Sequence, residues 1–376
     1  MRIGIDARFY GPVGKGLGRY TEKLVGYLER VADPDDEFFV FLRKENFDVY
    51  VPGNPRFRKV LADYPWYSIS EQIFFPFLLR KYRLDVMHFP HFNVPILYER
   101  PFVVTIHDLI LLRFPTVRNT TRSRLTYKMK YLAYRLVIAT AIRRAKVILT
   151  VSRFTERDIL TAFPTAVGKT VVTYEGCDFE TESDVRGNSD ISVGHGILAP
   201  YFLYVGNAYP HKNLAAFIPL AARFQEVMFV LVGKEDHFYE RLQDESTLAG
   251  MQNIVFTGFV PDHELGELYR DATGYVFPSL YEGFGLPPLE AMRFGIPVIA
   301  AKRGSLPEIL GDAALYFDPD DPDDLAEKVG NVLGDASLVV RLSRAGKERA
   351  SMFQWDETVE RTYDTYRLAY GRKRLD

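Results

Sequence analysis

The chain has 376 residues, 47% of them hydrophobic and 26% charged, and a formal net charge of −2. Its length predicts two domains rather than one core, and its composition is typical of a soluble globular protein. A single cysteine, Cys177, excludes an internal disulfide and fits a reducing compartment. A strand pattern starts at Arg2, leaving no room for a signal peptide, and no apolar run could cross a bilayer. We therefore expect a cytoplasmic protein, or one peripheral on the inner face of the cytoplasmic membrane.

Short apolar runs alternate with helical patterns along the chain, which predicts parallel sheets with helices on both faces. In the first half the predicted strands are Arg2–Ala7, Phe38–Leu42, Val86–Phe89, Val103–His107 and Val147–Val151. A polar, glycine-rich segment, Glu180–Gly196, is predicted to connect the two halves. In the second half the predicted strands are Tyr201–Gly206, Met228–Gly233, Ile254–Phe259, Gly274–Pro278 and Val298–Ala301. The pattern predicts an α/β chain of two doubly wound domains, which bind ligands beyond the carboxyl ends of their strands.

Four glycines follow the first predicted strand, at positions 11, 14, 16 and 18. Such closely spaced glycines let backbone N–H groups approach a phosphate or a sugar, and a flexible loop without a ligand is the alternative. Their spacing matches neither the dinucleotide fingerprint nor the P-loop, so the residues do not support a dehydrogenase or a P-loop nucleotidase.

Histidines end two further predicted strands of the first half. His88 and His91 surround one strand end, on the side of the sheet where ligands are expected, and His107 ends the next strand. A lone histidine is more often structural than catalytic. No spacing brings three metal ligands together, so a zinc site is not expected.

A strongly basic segment follows His107. Between Asp108 and Glu156 there are eleven lysines or arginines and no carboxylate. From about residue 119 to 144 the pattern is helical, with Leu125, Met129, Leu132 and Leu136 in one stripe that we expect to pack inward. Arg124, Lys128, Tyr131 and Arg135 form the neighbouring stripe. A basic amphipathic helix with tyrosines suits an anionic membrane surface, and ordinary solvated lysines are the alternative. Nucleic acid is not expected, because no recognised motif accompanies the charge.

The second half carries a lysine and two glutamates at predicted strand ends. Lys212 follows the strand that ends near Gly206, where an ammonium can pair with a diphosphate. Glu282 and Glu290 follow Gly274–Pro278 and have seven residues between them, in a glycine loop where Pro287 and Pro288 favour a helix start. Free N–H groups at such a helix start attract a diphosphate, and Glu290 can accept hydrogen bonds from a ribose.

Acidic clusters later in the chain are better accounted for by helix capping than by metal binding. Asp318, Asp320 and Asp321 superficially resemble an Asp-x-Asp metal site, but they precede a predicted helix, where caps and first-turn charge favour aspartate. Ser305 and Glu308 read as a capping box. No metal is therefore expected.

The block from Ser279 to Met292 resembles the Glu-x7-Glu signature of the family 4 glycosyltransferases, retaining enzymes of the GT-B fold. The resemblance extends over nearly the whole chain. It implies two Rossmann-like doubly wound domains facing each other across a deep cleft. Residues 1–195 would form the acceptor-side domain, with helix 356–376 packing back on it, and residues 196–355 would bind the nucleotide-sugar donor.

The resemblance also implies roles for individual residues. Glu290 would bind the ribose, Lys212 the diphosphate, and the catalytic pair Glu282 and His107 the transferred sugar. His88 and His91 are candidates for the acceptor side. The other expected donor-binding residues are Gly16, Asn207, Gly283, Phe284, Gly285 and Leu286. Family members commonly carry arginine where this chain has Asn207, so one bidentate phosphate contact is lost and Lys212 becomes the stronger candidate.

The expected activity is transfer of a hexose, with retention and without a metal or other cofactor, onto a glycan or lipid-linked acceptor in polysaccharide or glycolipid synthesis. Mannose from GDP-mannose is favoured over a UDP-sugar. One alternative is a GT-B nucleotide-sugar epimerase, which product analysis without an acceptor would reveal. Another is a non-catalytic protein that binds sugar nucleotides or membranes; Asn207 fits this alternative, and Glu282 and Glu290 argue against it.

Overall fold

The computed structural model describes residues 1–115, 124–178, 194–197 and 200–371. The chain folds into two compact units, Met1–Gly176 with Gln354–Asp376, and Cys177–Phe353. The boundary between the two units thus lies after Gly176, before the predicted connection Glu180–Gly196, and not after residue 195. Cys177 belongs with the second unit because its N–H donates to the Phe353 carbonyl at 2.9 Å and its carbonyl accepts from Arg293 at 2.8 Å.

The first unit contains a seven-stranded parallel sheet. Strands β1 to β7 are Arg2–Asp6, Glu37–Leu42, Phe57–Leu61, Val86–Phe89, Phe102–Ile106, Val147–Thr150 and Thr170–Val172. Their order is β3-β2-β1-β4-β5-β6-β7, so the winding direction changes between β1 and β4. Crevices at such a switch point are where open parallel sheets bind ligands. The first helices, α1 to α5, are Lys15–Val31, Ile69–Lys81, Ile110–Arg113, Arg124–Arg144 and Arg153–Ala162.

Apolar residues alternate between the two faces of this sheet and build a core on each. In β2, Phe39 and Phe41 join one cluster with Phe75 of α2, whereas Phe38 and Val40 join the other. Successive strand residues point to opposite faces, so a continuous apolar run supplies both cores.

The second unit contains a six-stranded parallel sheet with the same kind of winding. Strands β8 to β13 are Tyr201–Val205, Met228–Val232, Ile254–Gly258, Gly274–Phe277, Val298–Ala301 and Ala314–Phe317. Their order is β10-β9-β8-β11-β12-β13, which places the switch point between β8 and β11. Helices α6 to α12 are Phe217–Arg223, His237–Leu248, Asp262–Asp271, Leu286–Phe294, Leu306–Leu310, Pro322–Gly334 and Ala336–Ser351. The prediction of an α/β chain with two doubly wound parallel sheets is confirmed.

The last helix, α13, spans Trp355–Tyr370 and belongs to the first unit. Two of its tyrosines hold it there. Tyr366 Oη lies 2.7 Å from His88 Nδ1, and Tyr363 Oη donates to Asp36 Oδ2 at 2.5 Å. Among the described residues, no helix is long and apolar enough to span a bilayer.

Candidate active site

The loop after β11 carries the paired glutamates and is held in shape by glycines. Gly285 has φ 99°, a left-handed conformation that disfavours other residues, and the helix α9 begins directly after it at Leu286. Pro287 and Pro288 lie in its first turn, as predicted. A Cβ at Gly304 would lie 2.8 Å from the Glu282 nitrogen, so the neighbouring loop also needs glycine. The backbone around Glu282 is therefore fixed from both sides.

Glu282 and Lys212 form an ion pair at the second unit's switch point. Glu282 Oε1 accepts hydrogen bonds from Lys212 Nζ and Ser279 Oγ, each at 2.5 Å. Lys212 ends a short 3-10 turn after β8, and its Nζ also lies 5.2 Å from the centre of the Phe277 ring. Lys212 and Glu282 lie after strands as predicted, whereas nothing in the sequence pointed to Ser279 as a partner.

Glu290 lies in the second turn of α9 and is buried. Its Oε2 accepts a hydrogen bond from Tyr269 Oη of α8 at 3.3 Å. Burial of a carboxylate costs free energy unless hydrogen bonds compensate. Tyr269 supplies one such bond, and nothing in the spacing of the sequence pointed to it.

Phe284 and Ser305 stabilise the loop from behind. The Phe284 ring packs edge-on against Phe353 at 5.6 Å, so its side chain is part of the core. Ser305 Oγ donates to the Phe284 carbonyl at 2.8 Å and makes no side-chain cap to its own helix. The predicted capping box is therefore wrong, because that hydroxyl is used to position the loop.

Asn207 lies just beyond β8 and shapes the turn there. Its Oδ1 accepts from the Tyr209 N–H at 3.3 Å, and its carbonyl accepts from Tyr204 Oη at 2.8 Å. An asparagine that hydrogen-bonds the backbone two residues on stabilises a turn. Its observed contacts are thus structural ones.

In the first unit, both ring nitrogens of His107 have protein partners. Nδ1 lies 3.0 Å from Glu175 Oε1, and Nε2 lies 3.0 Å from the Pro90 carbonyl oxygen. Burial alone lowers the pKa of His107, but the hydrogen bond and charge of Glu175 and the Pro90 carbonyl outweigh it and raise the pKa. A sugar contact by a ring nitrogen would have to replace one of these bonds. Nothing in the sequence identified Glu175.

His88 is a core residue and not part of the acceptor side. It is fully buried between Tyr366 Oη and Thr105 Oγ1, which lies 2.9 Å from Nε2. Burial lowers its pKa to about 3, so the ring is neutral. The prediction for His88 is therefore wrong, because its two hydrogen bonds anchor α13. His91 is half-buried among aromatic rings beyond β4.

Gly16 lies in the first turn of α1 and has open space around it. A Cβ there would meet nothing within 4 Å, whereas a Cβ at Gly14 or Gly18 would lie 2.0 Å from a backbone oxygen. Gly14 and Gly18 are therefore required by packing. Gly16 leaves room beside the helix start, where a ligand could approach.

The basic helix α4 exposes the stripe that was expected to pack inward. Met129, Leu132 and Leu136 have exposed fractions of 65%, 67% and 57%. Lys128 and Arg135 are also exposed, whereas the side chain of Arg124, like that of Leu125, lies outside the described part of the chain. The buried stripe is instead the one that includes Tyr134, Ile138, Ala141, Ile142 and Ala145. The inward-packing prediction is wrong because the face that carries Tyr134, Ile138 and Ile142 packs into the core of the first unit.

The acidic cluster near residue 320 caps a helix. Asp321 Oδ1 accepts from the backbone N–H groups of Asp323 and Asp324, at 3.0 and 3.3 Å. Arg303 pairs with Asp318 and Asp320. In the part of the chain that the structure describes, no group of three or more His, Cys, Asp or Glu residues could hold a metal ion.

Comparisons with known proteins agree on one class of enzyme. Residues 14–181 match the family described as Glycosyltransferase Family 4, and residues 196–349 match Glycosyl transferases group 1. O-antigen chain mannosyltransferase B of Escherichia coli is 32% identical over 94% of this chain and 96% of its own length. O-antigen chain mannosyltransferase RfbU of Salmonella typhimurium is 26% identical over 86% and 88%. Sucrose-phosphate synthase from Thermosynechococcus elongatus has a TM-score of 0.78 at 20% identity, covering 99% of this chain and all of its own.

Proposed function

Since this chain belongs to the family 4 glycosyltransferases of GT-B fold, we propose that it transfers mannose from GDP-mannose, with retention, to a glycan or lipid-linked acceptor in polysaccharide synthesis. The similarity to two O-antigen chain mannosyltransferases supports both the sugar and the pathway class. The observation that carries the proposal is the group of Lys212, Ser279 and Glu282 at the second unit's switch point, with the buried Glu290 on the helix that follows. Open parallel sheets bind nucleotides at this position.

The donor would be bound by groups that differ in chemistry. Glu290 would accept hydrogen bonds from the ribose hydroxyls, and the backbone N–H groups of the Gly283–Leu286 loop would receive the diphosphate at the start of α9. Lys212 would leave its ion pair with Glu282 to bind the diphosphate, and Glu282, still bonded to Ser279, would then be available for sugar hydroxyls. Positive charge placed in this way stabilises the nucleoside diphosphate as it leaves.

A lysine and backbone amides supply the positive charge in this proposal, so the reaction would need no metal. The acceptor would bind groups of the first unit, where His107 would contact a sugar hydroxyl. The donor phosphate would help to accept the proton from the attacking hydroxyl. No side chain of this chain is assigned as a general base.

The helix α4 supports a peripheral position on an anionic, inner membrane surface. Its exposed Met129, Leu132 and Leu136 lie beside the exposed Lys128 and Arg135. Apolar side chains that can enter the headgroup region next to cations that attract anionic lipids are typical of interfacial helices. Such a position would give the enzyme access to a lipid-linked acceptor.

One set of measurements tests the proposed function. Thermal shifts with GDP-mannose, UDP-glucose and ADP-glucose should show selective stabilisation by GDP-mannose, of about 2.7 kcal/mol at a hundred times the dissociation constant. NMR of the product should show the α-anomer that retention requires. EDTA should leave the rate of sugar transfer unchanged. Stabilisation by a UDP-sugar alone would contradict the donor assignment, and conversion of the donor sugar without an acceptor would indicate the epimerase.

A further inference from the structure

We propose that Tyr67 is a stacking platform for a neutral pyranose ring of the acceptor. The inference rests on the proposed function and names a subsite within it. Tyr67 lies between β3 and α2 and is 63% exposed. Its φ is 58°, in the left-handed region that aromatic residues rarely occupy.

The backbone conformation of Tyr67 is maintained by a buried charged network. The Tyr67 N–H donates to Glu71 Oε2 at 2.8 Å, and Glu71 is fully buried. Glu71 Oε1 in turn accepts from Arg8 Nη2 at 2.7 Å and from Asn93 Nδ2 at 2.8 Å. Arg8 is itself buried and bonded through two nitrogens to both oxygens of Asp6. This network connects β1, the start of α2 and the segment after β4.

Strain that the surroundings maintain in this way is concentrated at functional sites. Among the described residues, three non-glycine residues have positive φ: Tyr67, Arg83 and Asn213. Asparagine tolerates this conformation, and Arg83 follows the end of α2, where chains commonly turn left-handed. Neither reason applies to Tyr67. Its conformation presents an aromatic ring to solvent although an apolar ring gains free energy from burial.

The position of Tyr67 is that of a ligand site. The segments after β1 and β4 flank the first sheet's switch point, and the Tyr67 ring centre lies 6.1 Å from that of His91 after β4. His91 contacts Phe9 after β1, with 5.3 Å between ring centres, and Phe9 stacks on Trp66 at 4.2 Å. An aromatic surface thus lies where an open parallel sheet binds its ligands.

The chemistry of this surface favours an uncharged sugar. The charges of Arg8, Asp6 and Glu71 are buried and paired with one another, so they offer a phosphate no free cation. Burial lowers the pKa of His91 to about 3, so its ring is neutral, and its Nδ1 accepts from the Asn93 N–H at 3.4 Å. The proton on Nε2 can then donate to a hydroxyl. An aromatic face also packs well against the C–H face of a pyranose.

Saturation-transfer NMR with methyl α-mannoside, in the presence of saturating GDP, tests the subsite. The wild-type protein should transfer saturation to the ring protons of the sugar. Tyr67→Gly and Tyr67→Asn both tolerate the left-handed backbone and remove the ring, and each should weaken sugar binding by about tenfold, as expected for one stacked ring. Tyr67→Phe keeps the ring and should bind within about twofold of wild type.

Stability and nucleotide binding distinguish a sugar platform from a purely structural ring. If the Tyr67 ring only stabilised the fold, its removal would lower the Tm. We instead expect Tyr67→Gly and Tyr67→Asn to keep the Tm within about 2 °C of wild type, because both residues relieve the backbone strain at position 67. Unchanged sugar binding in both variants, or no saturation transfer in the wild type, would overturn the subsite. Tighter binding of mannose 6-phosphate than of methyl α-mannoside would overturn its neutral character. Failure of GDP to bind in calorimetry would instead contradict the proposed donor, independently of Tyr67.

Discussion

At the scale of single residues, Glu290 and Lys212 are expected to recognise different parts of one nucleotide. Both lie beside the same switch point, one on α9 and the other after β8. Their chemistry differs, because a carboxylate accepts hydrogen bonds from hydroxyls and an ammonium attracts phosphate oxygens. Substitution of each should therefore leave a distinct binding pattern.

Glu290→Ala should weaken GDP and guanosine alike. The lost bonds from ribose hydroxyls to a charged acceptor are worth roughly 1.5–3 kcal/mol, so both affinities should fall by about one to two orders of magnitude. Calorimetry with the two ligands measures this. Equal affinity of wild-type and Glu290→Ala proteins for guanosine would contradict the ribose assignment.

Lys212→Ala should weaken GDP and pyrophosphate while leaving guanosine binding almost unchanged. The ammonium contacts only the phosphates in the proposed complex, and its removal should cost about tenfold or more in GDP affinity. Lys212→Arg is the matched control, since it keeps the charge. A parallel loss for guanosine would indicate that the ion pair with Glu282 chiefly maintains the loop.

The pair of His107 and Glu175 should make stability depend on pH. The folded-state pKa of His107 is raised above its unfolded value, so the stabilisation is complete below about pH 6.5 and is lost as pH rises through the folded pKa. Glu175→Gln removes the partner and should cost roughly 1.5 kcal/mol on the acid side. Urea unfolding at pH 6 and pH 9 should show a larger difference between wild type and variant at pH 6. A difference that grows with pH would contradict a protonated His107.

At the scale of secondary-structure elements, the strands that the sequence missed share an edge position, although one edge strand, Ile254–Gly258, was predicted. The strands that were not predicted, Phe57–Leu61, Thr170–Val172 and Ala314–Phe317, all lie at a sheet edge. An edge strand has one neighbour and is less buried, so it need not carry a continuous apolar run. In β3, for example, Arg58 and Leu61 are exposed. Central strands are covered on both faces and their apolar runs were recognised.

The helix α4 shows the limit of periodicity as a guide to which face is buried. The stripe of Met129, Leu132 and Leu136 repeats at helical spacing and was expected to pack inward, but the row of Tyr134, Ile138, Ala141 and Ala145 repeats at helical spacing too. The structure buries Ile138 and Ile142 with Tyr134, and exposes Leu132 and Leu136. Packing against the sheet, which no local pattern encodes, selected the face.

Reversing the charge of α4 should abolish binding to anionic vesicles. In Arg124→Glu/Lys128→Glu/Arg135→Glu, each lost cation removes about 1 kcal/mol of attraction. Vesicles with and without anionic lipid, sedimented at low and high salt, measure the effect, and high salt should also weaken wild-type binding. GDP affinity should be unchanged.

The matched control reverses the charges of three cations of α12 in the second unit, Arg341, Arg344 and Lys347. Equal losses in both triple variants, or no wild-type binding at low salt, would contradict a docking role for α4.

At the scale of the whole molecule, the sequence predicted two doubly wound units and three polar residues that follow the strands at the second unit's switch point. Glu282, Glu290 and Lys212 were recognisable because each follows a central strand. Their partners Ser279 and Tyr269 were not, since those contacts depend on how the loop and α8 pack. The anchoring role of His88 was not predictable either, because its partner Tyr366 lies on α13, 278 residues further along the chain.

The packing of α13 on the first unit predicts that a substitution in this helix destabilises the first unit and leaves the second unchanged. Tyr366→Phe leaves His88 Nδ1 buried without its partner, which costs about 1–3 kcal/mol. Hydrogen exchange should become faster in Met1–Gly176 and in Trp355–Tyr370, because the anchored helix and the first sheet share one core. Saturating GDP should slow exchange in Cys177–Phe353, in wild type and variant alike, since Glu290, Lys212 and the Gly283–Leu286 loop, which are proposed to bind GDP, belong to that unit. Tyr363→Phe, which loses the bond to Asp36, is a second probe of the same anchor and should act on the same segments. Faster exchange confined to the second unit in either variant would contradict the assignment of α13 to the first.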